Sequence, residues 1–247
     1  MDFGLTAEQE MLKRTARDFL AEACPPAFVR EMATDARGCP PELWQKMADL
    51  GWLSLAFPEQ YGGAGASLVD LMVLLEEMGR AALPGPFFTA VTGGLLIKEA
   101  GSEQQKASLL PKVASGELIV SLALLEPNLK YDASGVKTTA VAQGDGYAIS
   151  GTKVFVPDAH LADYLVCAAR TGEGVSLFLV KVSGGQGEGV MSTPLVTMAG
   201  DKQFEVVFDK AKVSKGDVLG EVNGGWKPLS KVLQVAAVGK CAEAVGA

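Results

Sequence analysis

Few residues in this chain have the type and spacing that chemistry requires. There is one histidine, His160. That argues against a histidine-built metal site and against a Ser-His-Asp system, so no metal ligands are expected. His160 falls in a polar stretch and is expected to face solvent. Four cysteines, Cys24, Cys39, Cys167 and Cys241, lie far apart with no C-x-x-C spacing. They read as reduced, mostly buried thiols of a cytoplasmic protein. Glu126-Pro127 stands where a strand is expected to end, which suits either a plain strand exit or a site role. The glycines of Tyr61-Gly62-Gly63-Ala64-Gly65 have the look of a phosphate cradle, but no Lys-Ser/Thr follows and no strand precedes. A structural turn is the better reading. Glu76 and Glu77 are adjacent on an expected helix. They point about 100° apart and do not converge on one proton. Trp52, Phe87 and Phe88 read as core rather than as stacking partners.

The elements around these residues change type along the chain. Its 247 residues allow one large domain or two small ones. The chain is 48% hydrophobic with net charge −7. These values argue against disorder and against a nucleic-acid surface. No apolar run approaches the ~20 residues of a membrane span. The Met1–Glu10 segment carries acids and no apolar stretch, so no secretory signal is expected.

Thr6 with Gln9, Ser67 with Asp70 and Ser102 with Gln105 mark helix starts. Pro25-Pro26 and Pro84-Gly85-Pro86 are breaks. Phe87–Glu99 is apolar nearly all round, which predicts deep burial. From about residue 118 short strands are expected at 118–125, 138–143, 147–149, 153–156, 164–168, 175–182 and 203–208. Gly144-Asp145-Gly146 gives a hairpin signal. The pattern predicts an antiparallel barrel or sandwich. After Asn223-Gly224-Gly225 an apolar stripe (Leu229, Leu233, Ala236, Ala237, Val245) predicts a helix. Its pattern runs to Ala247 without a stop signal, so further protein is expected to follow it or dock there.

In this order the segments resemble the acyl-CoA dehydrogenase family. The resemblance rests on Tyr61–Gly65, on Ser102-Glu103-Gln104-Gln105-Lys106 through Leu110–Glu117, and on Leu125-Glu126-Pro127. It continues through Gly151-Thr152-Lys153-Val154-Phe155-Val156 with Ala162-Asp163, and through Gly224-Gly225-Trp226. It implies an α+β organisation. A helical N-terminal domain would span residues 1–117 and a β domain residues 118–222. Residues 223–247 would begin a helical C-terminal bundle, so the chain is expected to be truncated relative to the family. The implied activity is FAD-dependent oxidation of an acyl-CoA thioester to the 2,3-enoyl-CoA, with a glutamate as base and the flavin N5 accepting hydride. Electron-transfer flavoprotein would be the reoxidant, and a homo- or hetero-oligomer, dimer or tetramer, the working form.

The resemblance also exposes departures. Leu124, Leu125, Lys130, Tyr131, Phe155, Val156 and Pro157 match the family's cofactor-facing positions. Leu125 stands where the family has a threonine that bonds the flavin, and Tyr131 where it has a serine. Lys130 adds a positive charge that suits a phosphate. Phe155-Val156-Pro157 replaces Trp-Ile-Thr. Phe155 can still cover a ring, but Pro157 has neither hydroxyl nor N–H. Each lost bond is worth about 1–3 kcal/mol where a group is left unpaired. Some members carry the base on the helix that begins here, at a position matching Ala236. No catalytic residue is therefore assigned, and Glu243 is read as surface or interface. The chain alone is expected to be inactive. The alternatives are a non-catalytic partner subunit of a mixed oligomer and an acyl-CoA-binding module without redox activity.

Overall fold

The computed structural model describes residues 4–247. Met1–Phe3, the first residues of the segment read as lacking a signal, lie outside the described residues. The helical part comprises α1 (Ala7–Ala23), α2 (Pro26–Thr34), α3 (Pro41–Asp49), α4 (Leu68–Arg80), α5 (Phe87–Ala100) and α6 (Glu103–Ala114). Strands follow: β1 (Val120–Ala123), β2 (Thr139–Gln143), β3 (Gly146–Pro157), β4 (Tyr164–Thr171), β5 (Gly174–Lys181), β6 (Val190–Leu195), β7 (Gln203–Ser214) and β8 (Val218–Leu219). One long helix, α7 (Trp226–Gly246), closes the order.

Local chemistry sets the helix starts. Thr6, Ser67 and Ser102 each accept from the third helical N–H, and Gln9, Asp70 and Gln105 each reach back to the cap N–H. Helix α5 buries most of its circumference, as its composition demands. The glycine-rich loop is a turn: Gly62 has φ +79, and a side chain on Gly63 would strike the Phe57 carbonyl. Tyr61, at the start of that turn, donates to Glu103 on α6 across 2.5 Å. Glu76 and Glu77 serve different partners. Lys13 bonds Glu76 at 2.8 Å, and Arg17 bonds buried Glu77 through two nitrogens at 2.8 and 2.9 Å, which ties α1 to α4.

The sheet differs from the expected antiparallel barrel or sandwich. It is open and mixed, in the order β6-β7-β3-β2-β4-β5-β8 with β1 beside β4. No ladder joins the end strands β6 and β8. Strand β1 runs parallel to β4, from Val120 opposite Tyr164 to Ala123 opposite Cys167. A hairpin leaves a turn signature, whereas a parallel pair is joined by a long connection that leaves none. Here that connection contains β2 and β3. The two short runs at 147–149 and 153–156 are one strand with bulges. Three elements escaped the sequence reading. Edge strand β6 contains Pro194 and few apolar residues, β8 has two residues, and α2 hides behind Pro25-Pro26.

Helix α7 is aimed by the turn before it. Asn223, at φ +66, accepts from the Thr171 hydroxyl at 2.9 Å and the Gly174 N–H at 3.1 Å. The Gly225 N–H donates to the Val175 carbonyl at 2.8 Å. The helix then lies across α4 at backbone contact. A Cβ on Gly79 would sit 2.0 Å from the Glu243 carbonyl oxygen, and one on Gly246 would sit 1.8 Å from that of Glu76. Val238 and Val245 of α7 remain exposed. No helix among the described residues is long and apolar enough to cross a membrane.

This packing yields a prediction. Gly79→Ala must push two backbones apart and should destabilise the fold by about 1–3 kcal/mol. Gly216→Ala, with its nearest neighbour 3.5 Å away, should change stability by under about 0.5 kcal/mol. Urea unfolding midpoints of the two variants check this. Equal midpoints would contradict the close approach.

Candidate functional site

Between α4, α5, α7 and one face of the sheet lies a cleft of about 1020 Å³. That is the size range of sites for cofactors and large ligands. Strand β3 builds its sheet-side wall. Ile149 and Lys153 point inward on the period of two, and the next inward residue is Val156, three positions on. The extra residue is a bulge in the pairing with β7. It leaves Phe155 at φ +52, the residue 48% exposed and lining the cleft.

Buried Lys153 holds the bulge. Its ammonium donates to the Leu124 carbonyl at 3.2 Å, the Ala168 carbonyl at 2.7 Å and Glu126 Oε1 at 2.8 Å. All three of its N–H donors are thus matched. Glu126 also accepts from the Lys137 and Thr138 backbone N–H groups at 2.9 Å. Burial pushes the Glu126 carboxyl up, but Lys153 and Thr138 outweigh burial and hold it below the usual carboxylate range. Glu126 faces this network; the residues lining the cleft do not include it. Two more bonds draw the wall together. The Val154 N–H donates to the Leu125 carbonyl at 2.8 Å, and the Ser121 hydroxyl to the Pro157 carbonyl at 2.6 Å.

Of the seven positions matched to cofactor contacts, Leu124, Leu125, Tyr131, Phe155 and Pro157 line the cleft. Lys130 and Val156 do not. Lys130 is exposed on the same loop as Tyr131, and Val156 is fully buried in the core behind the sheet. Arg170 steadies that loop by donating to the Ala133 and Val136 carbonyls at 2.7 and 2.8 Å.

Other positions refine the sequence reading. Trp52 and Phe87 are core, as read, and Phe88 packs against the same core while it lines the cleft beside Phe87. His160 is half-buried rather than fully solvent-facing. It stacks on Phe204 with centroids 4.9 Å apart, and its Nε2 lies 2.9 Å from the Arg37 carbonyl oxygen. Glu243, read as surface or interface, lines the cleft with Lys240. Ala236 lines it too and offers a methyl group. Cys39 is buried, and burial pushes its thiol up to about 12, so it stays protonated. Among the described residues no group of three or more His, Cys, Asp or Glu side chains is placed to hold a metal.

The sequence reading missed the buried pair of Thr89 and Asp158. The Thr89 hydroxyl donates to Asp158 Oδ2 at 2.6 Å and ties α5 to the end of β3. Asp158 has φ +49, a conformation that Asn and Asp adopt more readily than other side chains. The only sequence signal was an Asp directly after Pro157, which is ambiguous with a turn.

Comparison with known proteins gives the family of the chain. Residues 6–117 match the family model for the acyl-CoA dehydrogenase N-terminal domain, and residues 121–211 match that for its middle domain. The chain belongs to the acyl-CoA dehydrogenase family. It is 32% identical over 248 residues to acyl-CoA dehydrogenase FadE26 of Mycobacterium tuberculosis, across 94% of this chain and 61% of that protein. Its fold is similar to a chain of the ChsE4-ChsE5 complex from Mycobacterium tuberculosis, with TM-score 0.82 at 31% identity, covering 95% of this chain and 62% of that one. It is also similar to butyryl-CoA dehydrogenase from Megasphaera elsdenii, with TM-score 0.87 at 27% identity, covering 100% and 67%. The chain thus spans less than two thirds of the length of FadE26.

Asp158 supplies a prediction with a definite sign. Burial holds its carboxyl above the usual range, against the opposing bond from Thr89. A raised folded value means stability is full below the unfolded value of about 3.9 and falls as pH rises toward the folded one. Asp158→Asn keeps the backbone conformation and a partner for Thr89 without the charge. Its thermal midpoint should match the parent near pH 4 and exceed it progressively toward pH 7. A difference independent of pH would contradict this.

Proposed function

We propose that this chain forms the helical and sheet walls of an FAD-dependent acyl-CoA dehydrogenase site, which oxidises an acyl-CoA thioester to the 2,3-enoyl-CoA. The observation that carries the reading is the convergence of Phe155, Pro157, Leu124, Leu125 and Tyr131 on one cleft, in a chain of this family. Half-exposed Phe155 and the leucines fit the flat, apolar face of a flavin. Bound there, the flavin would supply hydride acceptance. This chain's residues would cover the ring, hold it through Leu124 and Leu125, and exclude water from one side. Lys130 would act from the cleft's rim on a phosphate, and Val156 would back Phe155 from the core. The parts would divide at residues 1–117, 118–222 and 223–247. An electron-transfer flavoprotein as reoxidant, an oligomeric working form and a cytoplasmic setting complete the proposal.

A second reading has specific support. Pro157 has no donor for the ring, Leu125 has no hydroxyl, and Ala236 has no carboxylate. These features favour a non-catalytic subunit that completes an oligomer with a conventional dehydrogenase. In either reading no base is assigned to this chain, and no acyl-CoA turnover is expected from it alone.

The deciding experiment is FAD titration of the purified chain, followed by visible absorbance and flavin fluorescence. The dehydrogenase reading predicts saturable uptake. The double variant Leu125→Thr with Pro157→Thr should then tighten the dissociation constant about tenfold, as regained hydrogen bonds of about 1 kcal/mol or more imply. An unchanged constant would remove the assigned role of these two positions. A chain that takes up no FAD at any concentration would favour the partner-subunit reading.

A further inference from the structure

Most charged groups of the cleft already have protein partners. Lys202 donates to the Ala33 carbonyl, Asp201 accepts from Thr197 and Gln203, and Lys240 and Glu243 pair with each other. Two acceptors at the end of the β3–β7 ladder remain. Gln203 stands opposite Pro157 in that ladder, so both side chains lie on one face of the sheet, about 5 Å apart at Cβ. Both residues line the cleft. Gln203 Nε2 donates to Asp201 Oδ2 at 2.7 Å, which fixes the amide: turned over, its oxygen would face that carboxylate. Gln203 Oε1 is buried and has no hydrogen-bond partner among the described residues. Asp158 is fastened beside Gln203 by its own N–H, which donates to the Lys202 carbonyl at 2.8 Å. It is 8% exposed and lines the cleft. Among the described residues only the Thr89 hydroxyl bonds its carboxyl, at Oδ2, and Oδ1 stays open. An unmatched buried polar atom is rare in a native fold and points to a group that completes it.

We infer that Gln203 and Asp158 form a polyol subsite, which takes the ribityl hydroxyls of a flavin whose ring lies against Phe155 and Pro157. The inference rests on the flavin reading above. Both groups call for donors. The polar edge of a flavin ring offers a lone N–H between two carbonyls, and those carbonyls would meet the acceptors oxygen to oxygen. The ribityl chain offers successive hydroxyls instead. A hydroxyl donates to Gln203 Oε1, and it either donates to the Asp158 carboxyl or accepts from it. It therefore fits that carboxyl charged or neutral. The placement follows from the ladder. A ring that covers Pro157 has Gln203 one cross-strand spacing away and Asp158 one residue away. That is the reach of a short side chain carried by the ring itself. Mostly apolar sites fix the orientation of their occupant through a few such polar groups.

Fluorescence titration of the 247-residue chain with riboflavin and with lumiflavin tests this. The two share the ring, and lumiflavin lacks the ribityl chain. Riboflavin should bind about tenfold more tightly, because lumiflavin leaves both acceptors unmatched. Gln203→Met, similar in size and without the amide oxygen, should bring the ratio close to one. Asp158→Gly removes the carboxyl and accepts the φ of +49. It should lower the ratio about threefold. A variant that only loosens the cleft wall weakens both flavins alike and leaves the ratio unchanged. Equal affinities in the parent chain, or a ratio that survives both variants, would overturn the inference while the flavin reading stands. If neither flavin binds, the flavin reading falls and this inference falls with it.

Discussion

One buried lysine organises the sheet side of this molecule. Lys153 is fully enclosed, and its three donors are spent on Glu126 and on two carbonyls from different segments, Leu124 and Ala168. Withdrawing an ion pair from water costs several kcal/mol per charge, and the cost is recovered only when geometry and hydrogen bonding are complete. Here they are complete on both sides, since Glu126 also collects the Lys137 and Thr138 amides. The pair thus gathers the exit of β1, the loop before β2, the bulge of β3 and the centre of β4 at a single point. Such a pair is better suited to fixing one arrangement than to adding net stability.

The cleft follows from that arrangement. With Lys153 turned inward and Val156 in the core, the residues between them are forced out of the ladder. Phe155 takes a left-handed backbone conformation and presents its ring. Asp158 takes another and meets Thr89 on α5. Each such residue stores on the order of 1–3 kcal/mol, tolerable only where surroundings over-determine it. The opposite wall is set by backbone contact instead. The paired glycines of α4 and α7 bring the two helices so close that Ala236, Lys240 and Glu243 reach the same space as Phe88.

The sequence was readable wherever structure is set by local chemistry. All three capping boxes, the buried α5 and the turn at Tyr61–Gly65 follow from residues within one turn of each other. The parallel pairing of β1 with β4 does not, because its partners are distant and no turn marks it. Edge strand β6 hid behind Pro194 and polar residues, since an edge needs no apolar alternation. At the site, family motifs pointed to Phe155, Pro157 and the leucines, but they could not separate Val156, which the bulge turns into the core. The stacking of His160 on Phe204 and the place of Glu243 at the cleft left no sequence signal, because both depend on tertiary packing. Lys153 was legible in principle: it shares the inward phase of Ile149, and an inward lysine needs a carboxylate.

The account stands on the claim that Lys153 holds the β3 bulge and therefore the cleft wall. Amide hydrogen exchange in Lys153→Met, compared with the parent chain, addresses it most directly. The Val154 N–H, bonded to the Leu125 carbonyl beside the bulge, should lose most of its protection. The amide of Leu74, buried in α4, should keep a much larger share of its own. An equal loss of protection at both amides, or none at Val154, would contradict the claim.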